Sequence, residues 1–451
     1  MTDHEAARQL IAEGSYPEAL SLLMGLLDDD PNDAQALFLM GNIMIHQDKK
    51  GMAYNIFARC GKLMPDSPEV WAQYGRCQAD SPEGWEASEW CFKKSLELRP
   101  DYIIPMANLA SLEIQRCNPV KAEEWARKCL KIDPDYNVAK SSLGFALLMQ
   151  GKWEDGWKNY AEMLGHRSRP DMQYGNIPEW DGSPGKTVIV YGEQGIGDEI
   201  LYSSVIPDMC KDNKVIIDCM PRLKNLFQRS FPDAFVVAER WSNSITLPEG
   251  WHADAKITMA GVPIHYRRKE SDFNGRPYLK AHDGMRIQMR ALLDSISDKP
   301  KIGIAWTGGT KQSRGQFRQR SLEDFLPIFS DKADYISLQY KSLNDEIEEF
   351  KKAHGFAVHH FDWITESKEM DFTAALVSEL DLVISVPTSV TQLSGGLGKE
   401  CWVMVPEITG WLFYKKDYSW ANSIKLFHDK PMKTVREYLD KWFDRREKDA
   451  A

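Results

Sequence analysis

The pattern of apolar and polar positions changes about a third of the way along the chain. Upstream, small and apolar residues recur at one long period and predict paired helices. Downstream, short β-rich runs alternate with helical stretches: Thr187–Tyr191, Lys214–Asp218, Phe235–Val237, Lys301–Trp306, Tyr335–Gln339 and Cys401–Pro406. Such alternation predicts α/β units with a mostly parallel sheet. Ile200–Met209 is predicted as a helix, Glu323–Phe329 as another, and residues 250–280 as irregular.

Three columns fix the upstream period. Pro31, Pro65, Pro100 and Pro134 stand 34, 35 and 34 residues apart. Ala19, Ala53, Ala87, Ala122 and Gly156 follow the same spacing, as do Gly41, Gly75, Ala110 and Gly144. The period and landmarks resemble tetratricopeptide repeats, in which each unit is a helix, a turn and a second helix. Small residues let the helices approach, and the proline turn closes each unit. Five units fit residues 1–165. Each pair leaves an apolar face for its neighbour to cover, so Trp71, Trp85, Trp90, Trp125, Trp153 and Trp157 are expected mainly in the core, with a groove for a protein partner as the other reading. Residues 166–185, rich in Gly, Pro and polar side chains, predict a linker.

Residues 186–298 form the first expected lobe. Its opening strand runs into Gly192-Glu193-Gln194-Gly195-Ile196-Gly197-Asp198-Glu199 and then a helix. Strand, glycine loop and helix present backbone N–H groups to an anion or carbonyl. The spacing is neither the dinucleotide fingerprint nor a P-loop. Asp198 is the candidate general base, with Glu193 second; a tight structural turn and a helix cap are the plain alternatives.

Residues 299–451, ending in a C-terminal helix, form the second lobe. After its first strand, Lys311 to Arg320 hold four basic residues and no acidic one, in a chain of net charge -10. Lys311 and Arg320, with Arg318 behind them, are the candidate diphosphate contacts. Gln339 at a strand end and Thr388, Ser389 and Gln392 beyond another strand extend that candidate set; Gly195, Gly197 and Trp306 complete it.

The 451 residues exceed one compact core. The acidic balance argues against nucleic acid as a partner. Eight cysteines without a CxxC pair fit reduced thiols. The N-terminus reads unlike a signal peptide, and no run approaches the roughly 20 apolar residues of a membrane span. A cytoplasmic protein is expected, with peripheral membrane association open. No metal cluster is evident, and HExxH is absent.

The order of GEQGIGDEI (192–200), IGIAWTGG (302–309), RQRSL (318–322), YISLQ (335–339) and DLVISVPTSVTQLSGGLGKECWVMVP (381–406) resembles bacterial repeat-containing glycosyltransferases related to the lipopolysaccharide heptosyltransferases, and more distantly the repeat-bearing protein O-glycosyltransferases. The resemblance implies a GT-B pair of Rossmann-like lobes, with the acceptor on the first and a nucleotide sugar on the second. It implies inverting transfer without a metal or other cofactor. Asp198 then takes the proton of a glycan, lipid-linked saccharide or protein hydroxyl, and Thr388 and Ser389 contact the donor. Two motifs depart from the family pattern: in the last, Pro387 replaces an acidic residue and Gln392 a histidine, and in the basic loop Gly309-Thr310 stands where Asn-Pro is usual. A non-catalytic repeat scaffold that keeps a degenerate fold is the main competing expectation, and a nucleotide-sugar epimerase a second.

Overall fold

The architecture is that of a computed structural model, which describes residues 2–164, 174, 177–239, 245–247, 249–309, 317–340, 343–428 and 432–450. The chain divides into two compact units, Met1–Ala146 and Leu147–Ala451.

The first unit is an all-α array: α1 (Asp3–Ala12), α2 (Tyr16–Asp29), α3 (Ala34–His46), α4 (Lys50–Leu63), α5 (Pro68–Gln78), α6 (Trp85–Leu98), α7 (Ile103–Gln115), α8 (Pro119–Ile132) and most of α9 (Asn137–Met149). Local chemistry starts these helices. Thr2 and Glu5 form a reciprocal capping box. Asp33 accepts from the amides of Gln35 and Ala36 at 3.1 and 2.9 Å. Pro68 and Pro119 open α5 and α8, where a missing N–H leaves no bond unmade. The four period-marking prolines all lie in exposed turns.

Helices pair in sequence, α1 with α2 through α7 with α8. The small-residue columns are where they touch. Gly41 lies under the ring of Phe57 and Gly75 under that of Phe92, and a Cβ on either glycine would come within 2.7 Å of the ring. Ala19, Ala53 and Ala122 are fully buried. The third repeat departs from the expected column: Ala87 is exposed, and Ser88 takes the contact position, its Oγ donating to the Gly75 carbonyl at 2.9 Å. A 3-10 turn at Pro82–Gly84 ahead of α6 accounts for the one-residue slip. The tryptophans also divide. Trp153 and Trp157 are core, Trp71, Trp85 and Trp125 are partly exposed, and Trp90 is 57% exposed.

The second unit takes in the end of α9, α10 (Trp153–Leu164) and two parallel sheets. The first sheet is built from β1 (Thr187–Tyr191), β2 (Lys214–Asp218), β3 (Ala234–Val237) and β4 (Ala255–Thr258), in the order β3-β2-β1-β4. Ile189 registers against Ile216 on one side and Lys256 on the other. Helices α11 (Ile196–Tyr202), α12 (Ile206–Met209), α13 (Lys224–Ser230) and α14 (Pro263–Tyr266) connect or follow these strands, and α15 (Asp283–Asp294) leads to the second sheet. β4 lies inside the stretch expected to be irregular. The helix expected over 200–209 is broken, because Pro207 opens α12 after a 3-10 turn at Ser203–Val205.

The second sheet contains β5 (Lys301–Ala305), β6 (Asp334–Ser337), β7 (Val358–His359), β8 (Leu382–Ser385), β9 (Cys401–Val405) and β10 (Ile424–His428). Its helices are α16 (Asn344–His354), α17 (Asp362–Thr365), α18 (Met370–Glu379), α19 (Ser389–Leu397) and α20 (Met432–Ala450). The order is β10-β9-β8-β5-β6-β7, all parallel. Counted from β5 as first strand, this is the doubly wound 3-2-1-4-5-6 order, with its switch point between β5 and β8. The near-continuous apolar strands reflect burial on both faces, around a core that includes Ile304, Trp306, Phe325, Tyr335, Ile384 and Trp402. The expected helix at 323–329 is a 3-10 segment, Glu323–Ile328, with Pro327 inside it.

Candidate functional site

Two loop-to-helix turns meet in the second unit: the glycine loop between β1 and α11, and the Thr388–Ser389 turn between β8 and α19. The helices pack directly on each other. A Cβ on Gly197 would lie 3.3 Å from the Cα of Ser389 and 3.5 Å from Oε1 of Gln392. Tyr278 ties the two sides together. Its phenol donates to the Ile200 carbonyl of α11, and its amide donates to the Gly396 carbonyl of α19, both at 2.9 Å. Leu279 also donates to Gly396 at 2.9 Å, and a Cβ on Gly396 would strike Leu279 at 2.7 Å. Gly308 lies against the methyl of Thr388 in the same way. Gly197, one of the glycines that suggested a phosphate cradle, is a point at which the two helices meet, whereas Gly195 lies against Asp198 of its own turn.

The two candidate carboxylates hydrogen-bond within the glycine loop itself. Oδ2 of Asp198 accepts from the Gly195 amide at 3.2 Å, closing the first turn of α11. Burial raises its carboxyl above the ordinary aspartate value, against the Gly195 amide and the Arg318 charge, which favour the ionised form. Glu193 accepts from Gln194 at 3.0 Å, and Gln194 also donates to the hydroxyl of Tyr160 at 2.9 Å. Burial, with the nearby Glu199 and Asp198 charges, pushes Glu193 up to about 7. Tyr160 and Tyr202, 3.4 Å apart at their hydroxyls, are raised by burial as well. Glu199 was missed in the sequence. It is fully buried and holds the Met220 amide at 2.8 Å, joining α11 to the end of β2. A charged residue followed by Ile200 and Leu201 gives no periodic sign of that role.

The second-lobe candidates scatter. Lys311 lies outside the described residues. Arg318 donates to the Pro387 carbonyl at 2.9 Å and is lowered by burial, with Asp198 opposing. Arg320 is exposed and contributes its backbone, donating to the Trp306 carbonyl at 2.9 Å. Trp306 is a core side chain whose indole donates to Glu346 at 3.1 Å. Gln339 is buried, its amide 3.3 Å from the Ser337 hydroxyl. Thr388 precedes α19 and lies 3.3 Å from the Ser385 hydroxyl; Ser389 and Gln392 face Gly197. The structure therefore gathers Glu193, Gly195, Gly197, Asp198, Arg318, Thr388, Ser389 and Gln392, and places Trp306, Gln339 and Arg320 in other settings.

Residues 10–77 match the tetratricopeptide repeat family, and the N-terminal region is a repeat array of that kind. A curated relative, Protein FlbA of Caulobacter vibrioides, is 24% identical over 358 residues, 74% of this chain. The chain spans 60% of that relative's length. Solved structures that match include PilW, a type IV pilus biogenesis factor (19% identity, 36% of this chain and 75% of that chain, TM-score 0.34), and a thermophilic TPR protein of Thermus thermophilus (20%, 36% and 89%, TM-score 0.32). MamA also matches (19%, 35% and 92%, TM-score 0.31).

These findings correct the expectation of a nucleotide-sugar-dependent glycosyltransferase, and of an enzyme. What matches a known family is the repeat region, residues 10–77. The physical reason lies in the motifs themselves. Glycine loops and hydroxyl turns suit a phosphate, but they equally suit two helix starts in van der Waals contact, and contact is what they make here. Donor and glycan partners have no support beyond the motif resemblance. No described helix is long and apolar enough to cross a membrane.

Proposed function

We propose that this chain is a non-catalytic scaffold: the repeat unit takes a protein partner, and the two-sheet unit is a GT-B-like body put to structural use. The observation that carries the reading is the direct seating of Gly197 on Ser389, bridged by Tyr278, where a transferase would keep an open crevice. A nucleoside diphosphate between those turns requires the helices to part.

The repeats supply the kind of surface a partner needs. Tyr54, Trp71, Tyr74 and Trp90 form one aromatic ledge across the second and third repeats. Trp71 meets Trp90 at 5.3 Å between ring centroids, and Tyr54 meets Tyr74 at 5.2 Å. Trp90 and Tyr54 are exposed. Rigid aromatics that offer large area at small entropic loss are typical anchors of protein interfaces.

The test pairs two measurements on the full chain. Crosslinking in the source cells should give a stoichiometric partner that is lost in Trp90→Ala and kept in Asp198→Asn. A panel of UDP, GDP, ADP and CDP sugars should be neither bound nor consumed. Donor consumption abolished by Asp198→Asn, or a partner indifferent to Trp90, overturns the reading.

A further inference from the structure

Away from the lobe junction, the carboxyl end of edge strand β7 carries a cluster with ligand chemistry. His360 follows β7 directly, Asp362 opens α17, and Glu366 closes it. Asp362 and Glu366 are four residues apart, so they share one face of the turn. Buried Ile364 and Thr365 hold the opposite face against the protein. One ligand atom from each of His360, Asp362 and Glu366 lies within 4.8 Å of the others.

The imidazole needs a partner. The His360 side chain is 4% exposed, while Asp362 is 53% exposed. Neither ring nitrogen makes a hydrogen bond. Nε2 is 2.7 Å from Oδ1 of Asp362 but off the line that a hydrogen bond requires. A buried imidazole with both nitrogens unbonded is unfavourable. A cation shared between the ring and the two carboxylates would satisfy one nitrogen at the separation observed, since ligands about 2.0–2.2 Å from a metal stand roughly 3 Å apart.

We propose that His360, Asp362 and Glu366 bind a first-row divalent transition cation, with water completing the coordination. The imidazole selects Zn²⁺-like ions over Mg²⁺ and Ca²⁺, which favour all-oxygen sites. The exposed carboxylates provide the path of entry. One nitrogen and two oxygens without thiolate point to moderate affinity, consistent with a reversible or structural ion that pins α17 to the end of β7.

Zn²⁺ and Mg²⁺ titrated calorimetrically into metal-free full-length protein test this, beside Co²⁺ as a visible-absorption probe. The expected result is one Zn²⁺ per chain and a Co²⁺ band, with Mg²⁺ bound much more weakly. His360→Gln should abolish the band, and Asp362→Asn and Glu366→Gln should each weaken Zn²⁺ by at least about 10-fold. The two carboxamide variants lie at exposed positions and should keep the metal-free Tm, which separates lost binding from lost folding. No Zn²⁺ binding, equal affinity in all three variants as a site on the eight free cysteines would give, or equal Mg²⁺ affinity overturns the proposal.

Discussion

The repeat array and the lobe junction both use glycine to bring helices together, but what each glycine meets is different. In the repeats, Gly41 and Gly75 face aromatic side chains of the next helix, Phe57 and Phe92. At the junction, Gly197 faces the backbone of α19 at Ser389. A ring can tilt when crowded, whereas a helix backbone must move as a body. The repeat contact is also local, recurring every 34 or 35 residues, while Gly197 and Ser389 are separated by most of two lobes. One kind of contact writes itself into sequence as a period. The other leaves a short glycine loop that looks like a ligand site.

The strongest test of the repeat side is to remove the ring rather than crowd it. Phe92 is fully buried among Gly75, Leu109 and Leu112. Phe92→Ala should destabilise the repeat unit by about 3–5 kcal/mol, through lost burial and the cavity left behind, read from urea-induced unfolding followed by circular dichroism. A loss below about 1 kcal/mol would mean that the column is not the core of the array.

On the junction side the corresponding weak point is charge. Glu193 holds its proton up to about 7 in the folded chain, against 4.5 for an ordinary glutamate. Between those values the folded state binds a proton that the unfolded state has released, so stability falls as pH rises through the window, by roughly 2–3 kcal/mol. Asp198 is raised in the same direction. Unfolding midpoints at about pH 5 and about pH 8 should show the decline, and Glu193→Gln should flatten it. A midpoint that rises with pH in the wild type, or an unchanged slope in the variant, removes Glu193 as its source.

These contrasts explain what the sequence disclosed. The helix pairs were legible because burial of one face imposes periodicity, and the strands at 187–191, 214–218 and 401–405 because burial on both faces leaves a short, nearly continuous apolar run. β4 was not, because Ala255-Lys256-Ile257-Thr258 carries a lysine mid-strand and its partner, β1, is 67 residues away. β7, two residues long, has no pattern to read. The slip from Ala87 to Ser88 was hidden because a serine that finds a carbonyl acceptor packs as well as an alanine. At the junction the sequence marks the residues but not which of two tasks they perform. Asp198, Gly197 and Ser389 do come together, but a carboxylate that caps a helix and one that takes a proton occupy the same place in a motif.

Backbone contact at Gly197 sharpens that distinction. Gly197→Ala puts a methyl 3.3 Å from Ser389 Cα. The helices must separate by a few tenths of an ångström, at a cost of about 1–2 kcal/mol. Hydrogen exchange should show faster opening of α11 and α19 in this variant and unchanged protection in α3 through α6. Unchanged exchange in α19 would mean that the lobes do not meet at this point.

The smallest effect has the opposite sign, and it isolates the role of the contact from that of glycine itself. Gly25 lies within α2, and a Cβ there meets nothing within 4 Å. It shares helical backbone with Gly41 and Gly75 but not their neighbours. Gly25→Ala should therefore stabilise the repeat unit by about 0.5–1 kcal/mol, by reducing the freedom of the unfolded chain and restoring helix propensity. Gly41→Ala, in the same array, should destabilise it, because Phe57 stands 2.7 Å from the new methyl. If both substitutions stabilise, the Phe57 ring yields without loss and the glycine column reflects no packing demand. If both destabilise, the face of α2 that carries Gly25 is covered, and that face becomes the place to look for a partner.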